Sequence, residues 1–475
     1  MKRLFSLAFL LLALAAQPAL ALSFDEARHL LARTGFGQPA RFEIERLLQY
    51  SHESAVEEIF GRILSRPLTQ PSLDIDEPLP TGAQRKGMDD KEKTAFRKEV
   101  QERNLALKSW WWGEMLATDS PFTEHMVLFW HNYFTSSLHK VKWPGFLYRQ
   151  NLLFRQHALG NYGQLLHDIV KDPAMVLYLD TQTNRKGQPN ENFARELMEL
   201  FTLGEGHFSE QDVKEAARAF TGWTFDPKAG EVVFNPRAHD PGLKRVLGQT
   251  VESGDDVVRV LLERPETARH LVERLWREFV SPDPDETEVA RLAALLRENH
   301  YEIRPLMKAL LTLPAFWAQE NRGRLVKSPV DVVIGSLRLI GLKKVENKRL
   351  AQLGHALGQD LFDPPNVKGW PGGTNWITSV TLSRREQFLR RLMRGKESEG
   401  PDAGLGAGYN PLAVDNPSIM PSLADLDREA KPRAIQALQR LLLSVPPVDP
   451  VQSQEGLSLR KAALHLLLDP AYQVK

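Results

Sequence analysis

Apolar residues recur along most of this chain at helical spacing, three and four apart, and one stretch breaks the rhythm. Ser23 precedes FDEARHLLARTGFG with Glu26 three residues later, a capping box followed by an apolar stripe that Gly35 and Gly37 end. Residues 41–65 repeat the period, whereas 66–89, rich in proline and charge, read as a long surface loop. From Asp90 to Leu116 a charged run becomes KSWWWGEML, which predicts one long helix docked by its C-terminal half. Consecutive residues on a helix point in different directions, so Trp110, Trp111 and Trp112 are not all expected to face inward. Further helices are predicted over 121–138, 146–158, 161–179, 192–203 and 209–221. They resume over 254–263, 265–279, 286–299, 303–313, 328–341, 346–357 and 378–394.

Between 223 and 250 short β-prone pieces surround Gly230 and Gly248, which predicts a small hairpin or an ordered loop. Residues 363–373 form a Pro/Gly-rich turn, and 395–422 have the composition of a linker. Two amphipathic helices close the chain, over 423–444 and 456–468. Strands and helices do not alternate, so a doubly wound sheet is not expected. The predicted fold is all-α. It has a main helical domain over 22–394 with one irregular or β-hairpin insertion, then the linker and a docked helical pair over 423–475.

The composition narrows the functional classes. Among 475 residues, 61 are basic, 60 acidic and none is cysteine, which excludes disulfides, thiolate metal sites and cysteine nucleophiles. Balanced charge gives no basic surplus for nucleic acid. Residues 1–21 read as a Sec-type signal peptide: Lys2 and Arg3, an apolar run over 4–16, then Ala19-Leu20-Ala21 as cleavage site. No later segment approaches the roughly 20 apolar residues a transmembrane helix needs. The expected location is therefore outside the cytoplasm, with the periplasm of a Gram-negative bacterium the best fit.

Several strings are distinctive together: RHLLARTGFG (28–37), LFWHNYFTSS (128–137), DPAMVLYLD (172–180) and NENFARELMELFTLGEG (190–206). QDVKEAARAFTGW (211–223), AHD (238–240) and PPNVKGWPGGTNW (364–376) follow in order. With these the chain closely resembles the exported bacterial family known as domain of unknown function 1800, over nearly its whole length. The resemblance implies no established activity. It implies a possible partner, because genes of that family often neighbour those of an exported family resembling the phosphatase and sulfatase superfamily.

Candidate chemistry centres on four places. Asp180, Gln182, Asn184 and Glu191 fall at positions one, three, five and twelve of an EF-hand-like loop, which would take a divalent cation such as calcium. Arg185 stands where that loop needs glycine, and a polar loop capping the next helix is the alternative. Asn192, Arg195, Glu196 and Glu199 share one helix face, a carboxylate pair for acid–base work if buried, or a solvated face with Arg195 paired to Glu199. His131, His239 and Asp240 with Glu196 would supply donors for zinc if they converged; a hydrogen-bonded core histidine is the alternative for His131. Asn132, Asn192, Arg195, Trp370 and Trp376 are candidate linings of a substrate groove. No HExxH, GxSxG or Walker motif is present. Two functional classes stay open: a periplasmic binding or accessory protein, and a metal- or carboxylate-dependent hydrolase-like enzyme on an envelope or carbohydrate substrate.

Overall fold

Helix starts are set by side chains that take up the N–H groups a first turn leaves free. In the computed structural model, which describes residues 21–72, 75, 80, 82–226, 229–342, 345–394, 426, 430–451 and 457–475, Ser23 and Glu26 form the box that opens Phe24–Thr34. Asp89 with Glu92, Ser209 with Asp212, Ser253 with Asp256 and Ser328 with Asp331 open Asp90–Ala117, Glu210–Ala219, Gly254–Glu263 and Pro329–Leu339 in the same way. Proline in the first turn, where its missing donor costs nothing, begins Pro121–Tyr133, Pro144–Gln156, Pro173–Tyr178 and Pro265–Phe279. The fold is mostly α-helical, as the periodicity predicts. The predicted linker, and the leader but for its last residue, lie outside the described residues.

Asp90–Ala117 is the axis of the assembly. Its first half is exposed and charged, and its second half is enclosed on every side, so all three tryptophans are buried, contrary to expectation. The helix packs against Asn347–Ala356, Pro329–Leu339 and Pro144–Gln156. Gly354 lets the Trp112 ring in, since a Cβ there would lie 2.2 Å from the ring. The Trp110 indole donates to the Thr69 carbonyl (3.0 Å), and the buried Glu114 carboxylate accepts from the backbone of Leu68 and Thr69. The start of the predicted surface loop is thus strapped to the central helix.

The insertion contains two hairpins rather than one. Antiparallel β1 (Trp223–Asp226) and β2 (Glu231–Phe234) pair, as do β3 (Lys244–Val246) and β4 (Gln249–Val251). At the other end, Lys431–Leu442 packs on Leu459–Leu468, which packs on Ser379–Arg394. The Tyr472 hydroxyl meets the Ser336 hydroxyl at 2.7 Å, and the buried Lys475 ammonium pairs with Asp331 at 2.9 Å. Among the described residues no helix is long and apolar enough to cross a membrane.

Candidate functional site

The first motif is structural. Arg33 is fully buried and donates to the carbonyls of Phe279, Val280 and Asn321, closing the C-terminus of Pro265–Phe279, while His29 bonds the Phe316 carbonyl at 2.8 Å. His131 sits in a similar setting. Its ring is enclosed by Trp111, Phe154 and Phe362, with centroids 4.7, 4.7 and 5.1 Å away, and Nε2 meets the Asn151 amide at 3.2 Å. Burial, with Arg155 nearby, drives its pKa down to about 3, so it is a neutral core histidine. Beside it Arg155 forms a bidentate pair with Glu124, both fully buried, and Glu124 also accepts from the Trp111 indole at 2.9 Å.

The donors imagined around a metal do not meet. His239 Nδ1 bonds the Thr221 carbonyl at 2.8 Å, and Asp240 accepts from Arg218 at 2.8 Å. The Arg218 guanidinium holds the Asp240 carboxyl below its usual range, against partial burial. At the EF-hand-like positions three of the four side chains are engaged by other protein groups. Asp180 pairs with Lys140 (2.7 Å), and Glu191 with Arg195 (3.3 Å). The buried Asn184 amide donates to the Ala217 carbonyl (2.7 Å) and accepts from the Asn190 backbone (2.9 Å). Among the described residues no three His, Asp or Glu side chains are grouped so as to hold a metal ion.

The polar helix face is remodelled. After Asn192–Glu196 the chain continues as a π-helix, Leu197–Thr202, whose wider turn shifts every later side chain around the axis. Its carbonyls are met from outside: Phe201 accepts from the Tyr133 and Tyr162 hydroxyls, and Leu200 is met by His270 Nε2 at 2.9 Å. Arg195 therefore pairs with Glu210, through two 2.7 Å bonds, instead of with Glu199. Glu199 faces Lys368 at 3.6 Å, which also reaches Glu205 at 3.5 Å. Glu196 is half-buried; burial first, then the Glu199 charge, raise its carboxyl above the usual range. Burial, together with Glu196 and Asp363, pushes the Tyr178 phenol up to about 12.

Lys368 belongs to the 364–376 turn, and that turn is fixed on Pro121–Tyr133. Gly369 has a φ of 84° and lies so close to Asn132 that a Cβ would be 2.2 Å from its Oδ1. The same oxygen accepts from the Trp370 backbone at 2.7 Å. Trp370 and Trp376 are both buried, at 4% and 7% exposure, so they anchor the turn and do not line an open groove. Asn192 donates weakly to the Leu179 carbonyl (3.3 Å). Asn132, Asn192 and Arg195 are thus each bonded to neighbouring protein groups.

What sequence reasoning missed is the cleft beside this region. Val141, Lys142, Trp143, Leu177, Gln182 and Phe225 are among the residues around a hollow of about 360 Å³, with Lys140, Asp180, Pro80 and Arg85. Trp143 stacks on Phe146 (4.9 Å, 1°), and Phe225 meets it edge-on at 5.6 Å. Lys142 closes Leu138–Val141 with a left-handed backbone, φ 61°. The Gln182 side-chain oxygen is buried with no partner. The Lys140 ammonium, paired with Asp180, also lies 5.7 Å over the Tyr178 ring, so cleft and carboxylate pair adjoin. The sequence carried one signal: 138–143 places two lysines and a tryptophan just before a proline-started helix.

Taken together, the molecule is a predominantly helical protein with one polar, aromatic-walled cleft among its described residues. The family described as protein of unknown function DUF1800 matches residues 29–474, and the chain belongs to it. No curated protein and no solved structure matches.

Proposed function

We propose that this is an exported binding or accessory protein that holds a small molecule in the cleft of Trp143 and Phe225. The observation that carries the reading is a contrast in how polar groups are used. His131, His239, Asp240, Asn184 and Arg195 each have a structural partner, while the cleft presents aromatic walls and an unsatisfied buried oxygen. A hollow of about 360 Å³ is in the size range of small-ligand sites. Export to the periplasm is supported by the leader-like first 21 residues, and a phosphatase- or sulfatase-like exported partner by the family resemblance.

A second reading is acid–base catalysis by Glu196 and Glu199 on a carbohydrate or envelope substrate. It is favoured by the raised carboxyl of Glu196 opposite Tyr178, because a carboxyl poised nearer neutrality can give and take a proton. Melting curves with the small-molecule fraction of bacterial envelopes separate the two. Binding predicts a stabilisation of about 2.7 kcal/mol at a hundredfold excess over Kd, which Trp143→Leu abolishes and Glu196→Gln leaves in place. Chemical conversion of a component, lost in Glu196→Gln, would establish the enzyme instead.

A further inference from the structure

Resting on that reading of the cleft, we infer that its ligand is an anionic sugar, a hexose ring carrying a carboxylate, phosphate or sulfate. Three features point there independently. The walls are Trp143 and Phe225, whose electron-rich faces attract the C–H groups of a pyranose ring. Gln182 lies at the edge of the same hollow, and its buried side-chain oxygen has no protein partner, so a turn of the side chain would offer it to a ligand hydroxyl. Among the described residues of the lining the charge is one-sided: Arg85, Lys140 and Lys142 stand with a single acid, Asp180, which Lys140 already pairs with. Among the described residues Arg85 and Lys142 have no carboxylate partner. Lys142 is exposed, and its backbone is held by a bond from its N–H to the Leu138 carbonyl at 3.1 Å. A bare inorganic anion would leave the aromatic walls and Gln182 unused. A neutral sugar would leave Lys142 unused, whereas Arg85 already lies 6.0 Å over the Phe96 ring.

Calorimetric titration of the full-length exported protein with galacturonate, glucuronate and glucose 6-phosphate, beside galactose, glucose and inorganic sulfate, tests this. The acidic sugars are expected to bind at least about tenfold tighter than the neutral ones, and the preference to shrink as salt rises. Lys142→Asn, which suits a left-handed residue, is expected to weaken only the acidic sugars, by about fivefold, with an unchanged melting temperature. Trp143→Leu is expected to weaken acidic and neutral sugars alike. Tighter binding of a galacturonate trimer than of the monomer would identify a polysaccharide as the source, and equal binding a free sugar or a chain end; both support the inference. Equal affinity for neutral and acidic sugars overturns it. So does sulfate binding that Trp143→Leu does not touch. If none of these probes binds while envelope extract still stabilises the protein through Trp143, the sugar assignment falls and the binding function stands. If neither binds, both fall.

Discussion

Polar side chains gather in two places of this molecule that differ in access to water. In one, Glu124, Arg155, His131 and Asn151 are sealed among Trp111, Phe154 and Phe362. In the other, Lys140, Asp180, Tyr178, Glu196, Glu199 and Lys368 line an open face beside the cleft. Groups of the same chemical type are architecture in the first and available to a ligand in the second. A buried charge without its partner is costly, and in the sealed set the Glu124 and Arg155 charges neutralise each other, although Arg155 Nε and the Asn151 side-chain oxygen have no partner. A half-exposed group can leave its partner for a ligand at little cost.

The largest expected effect lies in the sealed set. Glu124→Gln leaves the Arg155 guanidinium buried and unneutralised, which predicts a loss of about 3–5 kcal/mol in chemical unfolding. A loss under about 1 kcal/mol would show that water reaches this pair.

Acid should attack the same place through His131. The ring titrates near 3 when folded and at the ordinary 6.5 when unfolded, so the unfolded chain takes the proton first. The stability its neutral form contributes is complete above about 6.5 and is lost as pH falls toward 3, at up to about 1.4 kcal/mol per unit. His131→Asn should flatten that acid limb relative to the parent chain. Parallel limbs would place the titration elsewhere.

Asn184 tests the cation loop. Asn184→Ala strands the Asn190 N–H and the Ala217 carbonyl, for an expected loss of about 1–3 kcal/mol. Chelator or calcium should leave the melting temperature of the parent protein unmoved. A chelator-dependent melt would restore the ion.

The smallest effects belong to the open face. Glu196→Gln and Glu199→Gln should change stability by less than about 0.5 kcal/mol, and Lys140→Met by less than about 1 kcal/mol. A large loss at any of them would move that residue to the sealed set.

Helix existence, most helix starts and the site of the β insertion were legible because capping residues and apolar spacing are local signals. Burial of three adjacent tryptophans was not, since it depends on a helix being wrapped from all sides by elements that lie over 200 residues away in sequence, such as Asn347–Ala356. The Arg195–Glu199 pairing expected of an α-helix was undone by the π-turn, which tyrosines 133 and 162 stabilise from other helices. The cleft was hidden for a similar reason: Trp143, Gln182 and Phe225 meet only when three separate segments fold together. The spacing of Glu196 and Glu199 in the sequence could not tell that Lys368 and Tyr178 lie beside them.

The most direct test of the central claim, binding without chemistry, is mass spectrometry of envelope small molecules incubated with the parent protein, with Glu196→Gln/Glu199→Gln and with Trp143→Leu. The account predicts that the first two proteins retain the same molecule, recovered chemically unchanged, and that Trp143→Leu retains none. A product made by the parent protein and missing with the double glutamine variant would contradict it.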